Sequence, residues 1–87
     1  MTPAQYRTIT RRQSLYRNRF NKARTEYLNN RNFNDPTTAT NAERAAKDLI
    51  RVSEEAFEVF EVDGYPDTWH DQERDREDAQ VLLRYHF

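Results

Sequence analysis

Three observations predict an all-α fold, a long antiparallel helical hairpin with a shorter third helix folded back as in a three-helix bundle. Apolar residues recur at three- and four-residue spacing in three separate stretches. The chain holds one glycine and three prolines in 87 residues, and none of them interrupts those stretches. Turn-forming residues gather in two places, 29–41 and 63–67. A chain of this length reads as a single helical domain over 1–87, small enough that its core is marginal.

The first helix is predicted over about 3–30. Thr2 and Gln5 have the spacing of a capping box, and Pro3 suits the first helical position. Tyr6, Ile9, Tyr16, Phe20, Ala23 and Tyr27 form its apolar seam, and Gln13 fills the one polar slot. Arg17, Arg24 and Arg31 border that seam, whereas Leu15 falls on the polar side.

The second helix is expected over 40–62. Thr40 and Glu43 form a capping box, with Asp35-Pro36 as an earlier alternative start and Asp63-Gly64 as the stop. Ala42, Ala46, Leu49, Val52, Ala56, Phe57, Val59 and Phe60 belong to an apolar face near half the circumference, which makes this helix central. Asp67 or Thr68 is expected to cap a third helix over 68–84. Its apolar residues Trp69, Ala79, Leu82 and Leu83 flank a charged middle, so docking at the two ends is expected. The other arrangement has Arg76 pairing across the interface with a carboxylate.

Charge is unevenly distributed along the chain. The net charge is -1, yet residues 1–31 hold eight basic groups and one acidic group, while residues 32–87 hold six basic and fourteen acidic. This supplies a candidate basic partner surface at Arg7, Arg11, Arg12, Arg19 and Lys22. It also supplies a candidate acidic one at Glu54, Glu55, Glu58 and Glu61.

Composition narrows the chemistry. Without cysteine there is no disulfide, thiolate nucleophile or thiolate metal site, and a single glycine excludes glycine-rich phosphate loops. Charged residues at 33% argue against a membrane span. Met1-Thr2-Pro3 lacks the apolar run of a signal peptide. No catalytic, cofactor-binding or metal residues are assigned, and no cofactor is expected. Asp67, His70, Asp71 and Glu73 make a weak ligand set, and Ser14 and Ser53 have no visible triad.

Glu55, Glu58 and Glu61 on one helix with Asp75 and Asp78 on the next resemble the acidic constellation of MazG-like nucleotide pyrophosphatases, whose paired helical carboxylates hold magnesium. Here the glutamates lie opposite Leu49, Ala56 and Phe60, which favours a solvated face. A second resemblance rests on Asp63-Gly64-Tyr65-Pro66-Asp67-Thr68-Trp69-His70-Asp71-Gln72-Glu73-Arg74, with Asp78-Ala79. This stretch, after an arginine- and alanine-rich helix, is similar to small helical proteins encoded by tailed phages of actinobacteria. That resemblance implies a protein made in the host cytoplasm and supplies no catalytic residues.

The residues point first to a small protein–protein interaction module acting on itself or on a host or phage protein. The alternatives are nucleic-acid binding through the basic first helix, an acidic mimic of nucleic acid, and the MazG-like enzyme. A homodimer is expected along the long helices, because Leu15, Leu28 and Phe33 have no evident place in one chain. The first helix also outreaches the second by about one turn.

Overall fold

The computed structural model describes residues 1–30 and 35–87, which form three helices and, among the described residues, no strand. Helix α1 spans Pro3–Asn30, α2 spans Pro36–Asp63 and α3 spans His70–His86. The bundle is elongated, 47 × 21 × 16 Å, as expected when the two long helices each contain 28 residues.

The start of α1 follows from its capping box. Thr2 N–H donates to Gln5 Oε1 at 2.9 Å, and Gln5 N–H donates to Thr2 Oγ1 at 3.1 Å. The second helix begins four residues before the Thr40 start, at the Asp35-Pro36 alternative. Asp35 Oδ1 accepts from Thr37 N–H at 2.9 Å, and Pro36 occupies the first turn. Thr40 instead donates its hydroxyl to the Pro36 carbonyl inside the helix. This earlier start makes α1 and α2 equal in length, so the overhanging turn expected of the first helix is absent.

Gly64 ends α2 at φ 91° and ψ 146°, a backbone region essentially restricted to glycine. The third helix starts two residues later than expected and ends two later. Neither Asp67 nor Thr68 caps it with a side chain; residues 66–69 form a tight turn closed by Trp69 N–H to the Pro66 carbonyl at 3.2 Å. The Thr68 hydroxyl is instead hydrogen-bonded to that of Tyr6 on α1.

α2 lies centrally, packed along both other helices. Phe20 of α1, Ala42, Ala46 and Leu49 of α2, and Ala79 and Leu82 of α3 form the core, flanked by Tyr16, Ala23 and Tyr27. Val52, Ala56 and Phe60 are also buried. The contacts between α1 and α3 rise together along the chain: Tyr6 meets Thr68, Gln13 and Arg17 meet Asp75, and Tyr27 meets His86 and Phe87. Hence α3 runs parallel to α1 and antiparallel to α2.

The middle of α3 is not left undocked between two apolar ends. Gln72 and Asp75 are buried, and it is Asp75 rather than Arg76 that crosses the interface to a partner of opposite charge. Gln72, Asp75, Ala79 and Leu82 keep the three-four spacing, with polar side chains at two of the four inward positions.

Candidate interaction surfaces

Where the three helices meet, Gln13 Nε2 donates to Ser53 Oγ and to Asp75 Oδ2, each at 2.9 Å. Arg17 Nε donates to both oxygens of Asp75 at 2.8 Å. Asp75 is only 2% exposed, and Gln13 and Ser53 are equally enclosed. A carboxylate so enclosed and so fully engaged has no approach for a substrate. Its work is to orient α3 on the other two helices. Gln13 Oε1 has no hydrogen-bond partner among the described residues, the one imperfect element of this polar junction.

That junction separates the acidic residues that resemble a magnesium site. Asp75 turns inward to Arg17, whereas Glu58, Glu61 and Asp78 are exposed. Glu55 is held by Arg12 at 2.6 Å and lies 3.8 Å from Arg51. Among the described residues no group of three histidine or carboxylate side chains is placed to hold a metal ion. Asp67, His70, Asp71 and Glu73 are exposed, with His70 stacked against Trp69 at 4.2 Å between ring centroids.

The basic positions Arg7, Arg11, Arg12, Arg19 and Lys22 are all exposed on α1. Arg12 bridges to Glu55, and Arg19 lies over the Tyr16 ring at 5.2 Å. Arg7, Arg11, Arg19 and Lys22 have no carboxylate within 4 Å among the described residues. Leu15 and Leu28, 48% and 41% exposed, stand on this helix about 20 Å apart. Phe33, the third residue expected at a seam between copies, lies outside the described residues, as does Arg31. Of the acidic positions, Glu54, Glu58 and Glu61 are exposed and Glu55 is half-buried in its bridges.

A different place gathers exposed aromatic surface. Phe57 of α2, Tyr65 of the connecting turn, and Trp69, Glu73 and Arg76 line a cleft of about 410 Å³. Tyr65 is 55% exposed and its ring is tilted against Trp69 at 5.5 Å. The Arg76 guanidinium covers Phe57 at 4.7 Å from the ring centroid. The periodicity of α2 places Phe57 on its apolar face, and Trp69 reads as an anchor for α3. Both are only half-buried, beside the tight turn that Pro66 and Trp69 close. The legible signal for this cleft is two aromatic residues around Pro66, at a point where the chain must reverse.

The Arg12–Glu55 pair spans a shallower groove of about 270 Å³ between α1 and α2, floored by Ile9, Val52, Ala56 and Val59. No helix among the described residues is long and apolar enough to cross a membrane. No protein-family model, curated protein or solved structure matches the chain.

Proposed function

We propose that the chain is a helical protein–protein interaction module that uses the cleft between α2 and α3. The observation that carries this reading is the cleft itself: Phe57, Tyr65 and Trp69 offer aromatic surface that the core does not use. Aromatic residues and arginine dominate the binding energy of protein interfaces, and here both occur in one concavity with an acidic rim. The partner is the chain itself or a protein of a host or of the phage whose genes the Asp63–Arg74 stretch resembles, and the module works in the host cytoplasm.

Affinity capture tests this with the tagged chain and its Tyr65→Ala/Trp69→Ala variant, using lysate of an actinobacterial host with and without nuclease. The expected result is a protein retained after nuclease treatment and lost with the variant. Circular dichroism of the variant establishes that it is still helical. Equal recovery by the two chains overturns the assignment of the cleft.

A second reading draws on the unpaired cations of α1. Arg7, Arg11, Arg19 and Lys22 suit a phosphate backbone, and an affinity that arises from them falls with salt at a log–log slope of about -0.9 per contact. It ranks second because the exposed glutamates of α2 repel the same backbone and no recognised docking motif accompanies the helix. The expectation is no duplex binding tighter than about 10 µM near physiological salt by fluorescence anisotropy. Tight, salt-sensitive binding reverses the ranking.

A further inference from the structure

We infer that the cleft between α2 and α3 pairs with the same cleft of a second copy of this chain, across a two-fold axis lying between Glu73 and Arg76. This rests on reading the cleft as an interaction site and names its occupant. Charge selects the surface. Two copies joined along the outer face of α1 would set Arg7, Arg11, Arg19 and Lys22 against their own images, with Glu26 the one exposed acid on that helix. Leu15 sits amid those cations, so burying it in such a seam brings like charges together.

The α3 face has the opposite property. Trp69, Glu73, Arg76 and Gln80 follow four-, three- and four-residue spacing and share one side of the helix. Glu73 and Arg76 have no ion-pair partner within 4 Å among the described residues. An antiparallel two-fold pairing sets Glu73 beside Arg76 of the partner subunit, and Arg76 beside Glu73 of the partner subunit. One surface thus complements itself, as an isologous contact requires. The same operation sets Trp69 near Gln80 of the partner subunit and covers the Tyr65 and Phe57 rings.

Sedimentation equilibrium from about 1 to about 100 µM tests this, with dissociation constants in that range read directly from the mass. The expected mass for the native sequence approaches twice 10.5 kDa at the upper concentrations. Glu73→Arg and Arg76→Glu each create two like-charge contacts and weaken pairing on the order of tenfold or more. Mixing these two variants in equal amounts restores the double mass, because every contact in the mixed pair is again between opposite charges. Glu73 is exposed, so the fold does not depend on it. A native sequence that stays at 10.5 kDa throughout overturns the pairing. So do variants that associate as well as the native chain, or a mixture that fails to recover. The capture experiment is independent: a foreign protein lost with Tyr65→Ala/Trp69→Ala, beside a chain that stays monomeric, leaves the interaction reading intact and removes the second copy.

Discussion

The seam between α1 and α2 and the seam between α1 and α3 hold the same first helix by opposite means. Against α2, α1 presents Phe20 to Ala42, Ala46 and Leu49, an apolar contact with small residues on one side that allow close approach. Against α3, it presents Gln13 and Arg17 to Asp75, a junction of charge-assisted hydrogen bonds. The apolar seam is non-directional and draws its strength from area. The polar seam has little area and a strict geometry, so its part is to decide where α3 sits. Removing one member leaves a buried charge or donor unmatched.

Substitutions can break each seam separately. The largest effect is expected for Phe20→Ala, which empties a site 1% exposed at the centre of the apolar contact. A loss of about 3–5 kcal/mol is expected in urea denaturation. A loss under about 0.5 kcal/mol would mean that Phe20 is not the keystone of that seam. Next comes Asp75→Ala, which strands Arg17 and Gln13 and should cost about 3 kcal/mol. The sharper test replaces the whole junction: Gln13→Met, Arg17→Leu and Asp75→Leu together should be neutral or stabilising by about 1–4 kcal/mol. If the triple variant is as unstable as Asp75→Ala, the polar seam contributes net stability as well as geometry.

A smaller effect is expected where α2 ends. Gly64→Ala meets no atom within 4 Å of the added Cβ, so its cost is backbone strain at φ +91° alone, about 1–3 kcal/mol. The smallest is Arg12→Ala. Its bridge to Glu55 is 44% and 43% exposed at the two side chains, and about 0.2–1 kcal/mol, declining with salt, is expected from thermal unfolding.

The contrast between seams also accounts for what the sequence makes legible. Tyr6, Ile9, Tyr16, Phe20, Ala23 and Tyr27 announce the α1 seam because hydrophobic burial needs no particular partner, and periodicity alone reveals it. The Thr2–Gln5 box was equally readable, since its partners are three residues apart. Asp75 is hidden for the complementary reason. Its inward position shares the three-four spacing of Ala79 and Leu82, but the partners that let a carboxylate fill it, Gln13 and Arg17, are 62 and 58 positions away and leave no local mark. The start of α2 was decided between two adequate caps, and Asp35 prevails with the help of Pro36. Of the surfaces, the exposed cations and glutamates follow from helical periodicity. The cleft does not, because it depends on how the 64–69 turn seats Trp69 beside Phe57.

The meagre apolar anchorage of α3 has a consequence in time. Only Ala79 and Leu82 of this helix are both hydrophobic and buried, and its remaining buried side chains, Gln72 and Asp75, are polar groups that water solvates well once released. Lifting α3 away breaks the Asp75 junction and bares Ala79 and Leu82, and it requires no melting of the hairpin. Local opening of this kind lies below global unfolding in free energy and proceeds as a cooperative unit. Amide protons of α3 are expected to exchange with solvent ahead of those near Phe20 and Leu49 in a hydrogen-exchange measurement. In the pairing proposed above, a second protomer seated on Trp69, Glu73 and Arg76 would hold this helix shut, so opening of α3 is expected to become rarer as protein concentration rises.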